Sequence, residues 1–359
     1  MKRIFISLIL VMLVIGISCG RQNSDWQGTV EVVNGVTLVK NPKEPMFGPE
    51  KIRLKEILTI GCEEGDENTM FWGSLLVRTD DELNIYVCDS MAKRLSKFDA
   101  RGNFLWATGR QGQGPGEFQS INDFTIDNPK QEILVLDNSQ IDAFSFDGKY
   151  LRSMDIKRRA WNIDILKNGN LLILPLVPDQ TGVLPLIYDS NGQYVSEFAS
   201  IYSYGPSGLG PGGFSPNKSY QVFGEKIIFS LPDKYEIREY DLSGKLMRII
   251  TKDQNLNLFN IKRQNGVISS ISVRDWSGPC FLWQDQYLIN IIEIFSVETK
   301  IRDWSLDFFD PSGRFLCSCP LPESNKLDHI DRAGHLYFVQ WLPFPKVVKY
   351  QLEINEFFP

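Results

Sequence analysis

His329 and His335 are the only imidazoles in the chain, and they lie six residues apart. Zinc catalysis usually takes three protein ligands and an open fourth position. This pair would need a carboxylate, Asp328 or Asp331, to complete a set. A hairpin position for His335 fits the surrounding residues better. Cys317 and Cys319 are two residues apart, so on a strand they share one face. Their Cys-x-Cys spacing is not the Cys-x-x-Cys of redox and zinc sites, and no second pair accompanies it. They read as thiols of a β core. Apart from Cys19, the cysteines are Cys62, Cys88, Cys280, Cys317 and Cys319, an odd number that leaves at least one unpaired. The run Gly109–Gly116 is glycine-rich, but it lacks the Gly-Lys-Ser/Thr end and the following helix of a phosphate loop. The Gly-x-Ser-x-Gly pattern occurs at Gly16–Gly20, which is no strand-to-helix turn. The acidic clusters Glu63–Glu67 and Asp80–Glu82 lack the spaced ligands of a calcium loop. No metal and no cofactor is expected.

The charge balance excludes another class of partner. Thirty-eight basic and 44 acidic residues are mixed along the chain, for a formal charge of −6. There is no basic stripe of the kind that tracks a nucleic acid. The nearest thing to one is Lys157-Arg158-Arg159, a triplet that reads as a solvated turn. Apolar residues make up 43% of the 359, enough for a large core in one repeat or barrel domain.

The N-terminus carries a targeting signal. Lys2 and Arg3 precede an apolar run, Ile4 to Ile17, broken by Ser7 and Gly16. That run is shorter than the roughly 20 residues of a spanning helix. The order is that of a secretory signal peptide; an anchor that is never cleaved is the rival reading. Gly16-Ile17-Ser18-Cys19 resembles the lipobox of bacterial lipoproteins, although that family prefers leucine where Gly16 stands. The resemblance implies Cys19 as the lipid attachment site and a membrane contact made through that lipid.

The elements that would position any site follow a repeat. An apolar strand, a polar loop and a strand ending in an aromatic residue plus Asp lead into a glycine turn and another strand. The turns are Phe98-Asp99-Ala100-Arg101-Gly102, Phe146-Asp147-Gly148, Tyr188-Asp189-Ser190-Asn191-Gly192, Tyr240-Asp241-Leu242-Ser243-Gly244 and Phe309-Asp310-Pro311-Ser312-Gly313. Successive turn glycines are 46, 44, 52 and 69 residues apart. Periods near 40 to 50 residues with several short strands each indicate propeller blades.

Strands A to D of the first blade are expected near Gly73–Arg78, Asn84–Val87, Leu95–Phe98 and Asn103–Thr108. The second blade is expected at Asp123–Ile126, Ile133–Leu136, Ala143–Phe146 and Tyr150–Met154. The last blade has three strands, His329–Ile330, Leu336–Trp341 and Val347–Leu352. Its fourth is expected from Lys51–Ile60, which would join the two ends in one sheet. The expected fold is all-β: a six-bladed β-propeller of four-stranded antiparallel blades, the ring closed by an N-terminal strand completing the last blade. A seventh blade would need a repeat hidden in Asp253–Asp275. The organisation is then 1–18 signal peptide, 19–50 lipidated N-terminus and tether, and 51–359 propeller.

Asn84-Ile85-Tyr86-Val87-Cys88-Asp89-Ser90, Arg94-Leu95-Ser96-Lys97-Phe98-Asp99 and Gly102-Asn103-Phe104-Leu105 together resemble an NHL-type propeller repeat. Gly109–Phe118 resembles the loop that joins successive blades in that family. With the lipoprotein signal, the chain resembles the six-bladed propeller lipoproteins of Bacteroidetes-type bacteria. The resemblance implies fold and export to the cell envelope, with lipid anchoring at the outer membrane, and little about chemistry, which a fold alone cannot supply.

Strand direction alternates within a blade, so B–C loops and D-to-A connections emerge on one face of the disc. The long segments gather there: Asp89–Arg94, Gly109–Gln119, Ile156–Asn162, Ser200–Asn217, Lys252–Ser277 and Ser296–Trp304. Loops this long are uncommon without a role. This face is expected to bind a protein, peptide or glycan partner, with Arg94, Arg110, Arg158, Arg159 and Trp161 as candidate contacts; for Arg94 and Arg110 the bland reading is that they brace adjacent blades. The alternative is a metal-dependent hydrolase or lyase working in the central channel. Some propellers related to the NHL class are such enzymes. Asn122, Asp123, Asn162, Asp164 and Asp328 could partly ring that channel.

Overall fold

The computed structural model describes residues 26–176, 184–198, 220–231, 234–254, 256, 259–264, 267–273, 276–295, 302–321 and 325–354. The signal segment 1–18, Cys19 and the expected loop Ser200–Asn217 lie outside the described residues, as do residues 296–301 of the loop Ser296–Trp304.

The chain opens with a hairpin, β1 (Thr29–Val33) and β2 (Val36–Asn41), then a 3-10 turn at Pro49–Lys51 and β3 (Ile52–Ile60). Blade one is β4 (Leu75–Thr79), β5 (Ile85–Asp89), β6 (Arg94–Phe98) and β7 (Phe104–Thr108). Blade two is β8 (Ile121–Asp127), β9 (Glu132–Asp137), β10 (Gln140–Ser145) and β11 (Tyr150–Asp155). Blade three is β12 (Ala160–Ile165), β13 (Leu171–Pro175), β14 (Leu186–Tyr188) and β15 (Tyr194–Glu197). Blade four is β16 (Tyr220–Phe223), β17 (Lys226–Leu231), β18 (Glu236–Asp241) and β19 (Leu246–Lys252). A separate hairpin, β20 (Phe259–Gln264) and β21 (Val267–Val273), follows. Blade five is β22 (Trp276–Trp283), β23 (Tyr287–Phe295), β24 (Arg302–Phe309) and β25 (Phe315–Leu321). Blade six is β26 (Asn325–Ile330), β27 (Leu336–Gln340), β28 (Lys346–Ile354) and then β3, which pairs antiparallel with β28 from Val347↔Ile60 to Ile354↔Ile52. The expected closure is present, and the Asp253–Asp275 region holds two strands rather than a seventh blade.

Alternation explains why the blades stack. Each central strand buries apolar side chains on both faces, because each sheet is covered by a neighbour on either side. In β5 all five residues are buried, and in β9 five of six. Apolar clusters fill the spaces between neighbouring blades. Tyr86, Cys88 and Leu95 of blade one meet Phe124, Ile133 and Phe144 of blade two. Ile60, Tyr337 and Val347 of blade six meet Leu75 and Val77 of blade one. Full burial of each such aromatic or aliphatic side chain stabilises by about 1.5–3 kcal/mol.

Residues 26–50 differ from the tether expected for 19–50. β2 pairs in parallel with β19, from Arg248↔Thr37 to Lys252↔Asn41, and widens the sheet of blade four to six strands. Asn41 locks this addition. Its Nδ2 donates to the carbonyls of Thr251 (3.1 Å) and Gly313 (2.9 Å), and its Oδ1 accepts from the amide of Phe315 (2.7 Å) and from Trp26 Nε1 (2.9 Å). The open outer edge of β19 would otherwise present unpaired backbone groups. The chain then runs along blade five, where the amide of Phe47 donates to Leu316 O at 2.8 Å, before β3 enters blade six.

Candidate binding face

Polar side chains near the ring axis hold one another. Arg78, on the innermost strand of blade one, donates from Nη2 to Asp123 of blade two (2.8 Å) and from Nη1 to Asp328 of blade six (3.1 Å). Asp123 Oδ2 accepts from the Ile163 amide (3.2 Å) and Asn162 Nδ2 (3.3 Å) of blade three. Asp328 Oδ2 also accepts from the Val77 amide (2.8 Å), and Lys326 reaches its other oxygen at 2.9 Å. All these carboxylates are buried. Burial alone would raise the Asp328 carboxyl, but Lys326, Arg78 and the Val77 amide outweigh it and hold the group well below the usual carboxylate range. Arg78, in turn, is held protonated: burial works against its charge, and Asp123, Asp328 and Asp164 more than offset it.

Four of the five residues expected to ring the channel therefore serve this belt. Asn122 turns away, donating to Ala160 O at 2.7 Å. Asp164 accepts from Thr125 Oγ1 (3.4 Å) and from the Ile165 amide (3.0 Å). No group of three or more His, Cys, Asp or Glu residues among those described is arranged to hold a metal ion. Arg78 stands where the channel hypothesis would place a cation, between the Asp123 and Asp328 carboxylates.

The histidines and the buried cysteines among the described residues have structural places. His335 Nδ1 meets Asp331 Oδ2 at 2.9 Å, and Tyr337 Oη donates to the same oxygen at 3.0 Å. Blade one repeats the arrangement with Asn84 Nδ2 (2.9 Å) and Tyr86 Oη (3.0 Å) on Asp80 Oδ2. His335 is thus a hairpin residue equivalent to Asn84. His329 Nε2 lies 2.8 Å from Thr79 Oγ1. Cys317 and Cys319 are free and buried in the cluster between blades five and six. Burial pushes the Cys319 thiol up to about 11 and raises Cys88, Cys280 and Cys317 further, so they remain thiols rather than thiolates at neutral pH.

The two faces of the disc are built differently. On one, Asp–Gly turns close the C–D hairpins: the Asp99 carboxylate, for example, accepts from the amides of Arg101 (2.9 Å) and Asn103 (2.8 Å). On the other, strand-end carboxylates tie B–C loops to D-to-A connections. Asp89 accepts from the Trp72 amide at 2.7 Å, and Asp137 accepts from those of Gln119 and Ser120 at 2.6 Å.

The candidate contacts lie on this second face in different roles. Arg94 braces the loop before blade one, donating from Nη1 to Glu67 O (3.0 Å) and from Nη2 to Met70 O, with its guanidinium 6.0 Å from the Phe71 ring centre. Arg110 is exposed and donates from Nε to Glu117 at 2.7 Å within its own loop. Glu117 also accepts from the amides of Gly114 (2.9 Å) and Gln113 (3.1 Å), which with Arg110 hold its carboxyl below the usual range. The glycine-rich loop thus cradles its own carboxylate in place of a phosphate. Arg158 and Arg159 are exposed in the turn entering blade three, and Trp161 beside them is half-buried. Arg159 Nη2 approaches Asn138 Oδ1 at 3.4 Å.

Two features lie outside the expectations drawn from the sequence. One is the role of Arg78, whose signal is a lone charge directly after the apolar run Leu75-Leu76-Val77. The other is a set of exposed large apolar side chains: Trp72 (72% exposed), Met91 (67%), Trp341 (40%) and Leu342 (71%). For Trp72, Met91 and Leu342 the signal is large apolar residues outside the expected strands; Trp341, expected at the end of the strand Leu336–Trp341, lies just beyond β27, which stops at Gln340.

Residues 74–173 match the family model DUF5128, described as a 6-bladed beta-propeller. No curated protein matches the chain. A Bacteroides fragilis NCTC 9343 protein, described as an exported protein, is similar in structure. The TM-score is 0.58 at 15% identity, over 89% of this chain and 100% of that one. A member of the DUF4221 family from Bacteroides vulgatus ATCC 8482 gives 0.60 at 11% identity, over 86% of this chain and 100% of that one. At these identities the likeness concerns the fold, and it agrees with the strand pairing: the chain is an all-β, six-bladed propeller of four-stranded antiparallel blades.

Proposed function

We propose that this protein is an exported, lipid-anchored propeller of the bacterial cell envelope that binds a protein, peptide or glycan partner through its loop-rich face. The observation that carries the reading is the contrast between surfaces. Polar groups near the axis are paired with one another across blades, and the C–D turns are short and self-capped. The loop-rich face exposes Trp72, Met91, Trp341 and Leu342 in its loops, together with Arg110, Arg158 and Arg159, whereas the other exposed large apolar side chains among the described residues lie on the outer strands β1, β3, β7, β11, β15 and β19. Exposed large apolar side chains grouped on one face mark interaction sites.

The signal-like segment and the lipobox-like Gly16–Cys19 support export and anchoring, and the exported description of the B. fragilis protein agrees with them. No helix among the described residues is long and apolar enough to cross a membrane. Cys19 stands seven residues before Trp26, a reach of at most roughly 25 Å. A lipid on Cys19 would therefore hold the rim of blade four close to the bilayer.

In-cell cross-linking followed by mass spectrometry tests the reading. One dominant partner is expected with the wild type and is expected to be lost when Arg110, Arg158, Arg159 and Trp161 are changed to alanine. No partner in either case would contradict it.

A further inference from the structure

We infer that the sector where the ring closes, between blades six and one, docks a cationic, apolar peptide segment of a partner protein. The inference rests on the binding-face reading and names its occupant.

Three loops meet in this sector. The connection from β3 to β4 (residues 61–74) runs between the B–C loop of blade six (341–345) and that of blade one (90–93). Its start is packed against the first: a Cβ on Gly61 would lie 2.7 Å from Lys346 Cβ. Its end is tied to the second. The Trp72 amide donates to Asp89, the Ser90 amide donates to Ser74 O, and Gly73 lies against Met91. Phe71 anchors the middle by burying its ring in the cluster with Tyr337 and Val339. With these ties, Trp72 and Met91 are exposed at the blade-one end of the connection, and Trp341 and Leu342 are exposed on the blade-six loop.

The connection itself carries an acidic tip. Cys62 N donates to Thr69 O (3.2 Å) and Thr69 N to Asp66 O (2.9 Å), which closes the loop and exposes Glu63, Glu64 and Glu67. Nearby cations are engaged. Arg94 donates to the carbonyls of Glu67 and Met70, Lys93 Nζ donates to Ser90 O at 2.7 Å, and Lys346 stacks 5.3 Å from the Phe344 ring centre. An occupant that fits must carry positive charge at its middle and apolar side chains on its flanks. Tryptophan and methionine are enriched in protein interfaces, and carboxylates beside them select lysine and arginine by charge complementarity. Met91 and Leu342 favour aliphatic and aromatic side chains over the hydroxyl-rich faces of a sugar.

Binding of three probes by the full-length protein in detergent tests this. The probes are a synthetic twelve-residue peptide alternating lysine and leucine, its glutamate counterpart, and cellohexaose. The lysine peptide is expected to bind, with affinity falling as salt rises. The W72A/W341A variant should weaken it at least tenfold, and E63Q/E64Q/E67Q should weaken it severalfold and flatten the salt dependence. Unchanged melting temperatures will show that both variants fold. Equal binding of the glutamate peptide would overturn the inference. So would lysine-peptide affinity unchanged in W72A/W341A, or cellohexaose binding that W72A/W341A abolishes, which would assign the sector to a glycan. If the peptide fails while the in-cell partner is still lost in the Arg110/Arg158/Arg159/Trp161 variant, this inference alone fails. Loss of both results would take the binding-face reading with it.

Discussion

Arg78 and Asp123 lie 2.8 Å apart and join blade one to blade two by a buried ion pair near the axis. Asp328, 3.1 Å from the same guanidinium, extends the link to blade six. Removing one partner of such a network leaves buried charge uncompensated, which costs about 3–5 kcal/mol. Arg78→Met is therefore expected to destabilise the ring by that amount, seen as a lower denaturation midpoint in urea. A change within about 0.5 kcal/mol would show that water reaches both carboxylates.

Gly148 and Gly169 separate two costs of adding a side chain. Both have φ near +80° (81° and 84°). A Cβ on Gly148 would lie 2.9 Å from the Trp106 ring of the preceding blade, whereas nothing lies within 4 Å of one on Gly169. Gly169→Ala should cost roughly 1–2 kcal/mol from backbone strain alone. Gly148→Ala should cost about 2–4 kcal/mol, because overpacking adds to the strain. Equal costs in chemical denaturation would mean that Trp106 moves aside freely.

Asp142 is a buried carboxyl on β10. Its Oδ1 accepts from Gln140 Nε2 at 2.8 Å and from Ser153 Oγ, and its Oδ2 has no partner. Burial raises it above the usual range, and the bonds from Ser153 and Gln140 offset this only in part. A carboxyl raised in the folded state stabilises fully below its unfolded value, about 3.9. That stability is lost as pH rises through the raised folded value. Asp142→Asn should abolish this part of the pH dependence, measured as urea midpoints across acid to neutral pH. An unchanged profile would show that Asp142 ionises in the folded ring at its ordinary value.

Cys88, Cys280, Cys317 and Cys319 are buried free thiols, whereas Cys62 is half-buried. In a Cys19→Ser protein, a thiol reagent at pH 8 is expected to modify Cys62 first. The other four should react only on the timescale of unfolding. Rapid modification of Cys317 or Cys319 would contradict their core role.

Much of the ring was legible because its signals are local. The Asp–Gly turns mark each C–D hairpin, and all five turn glycines have positive φ, 81° to 89°. The expected strands of blades one and two fall on β4–β11 within four residues at either end. Closure by β3 was legible because blade six otherwise lacks a strand. The features missed depend on distant partners. Asn34-Gly35 is a hairpin signal, but the strand β2 joins lies some 210 residues away. Arg78 is 45 residues from Asp123 and 250 from Asp328, separations that no local pattern reveals. The exposed set of Trp72, Met91, Trp341 and Leu342 exists only once closure brings loops from both ends of the chain together.

Under the proposed function, the loop-rich face binds while the channel and the opposite face are structural. The direct measurement is the in-cell cross-linking yield of the dominant partner at equal protein levels, in three variants. The first carries Arg110, Arg158, Arg159 and Trp161 as alanine. The second alters the opposite face through R101A and K149A, and the third alters the channel through T125A and D164N. The yield is expected to collapse in the first variant and to stay at the wild-type level in the other two. A yield that falls only in the channel variant would contradict the proposed function and move the site to the axis.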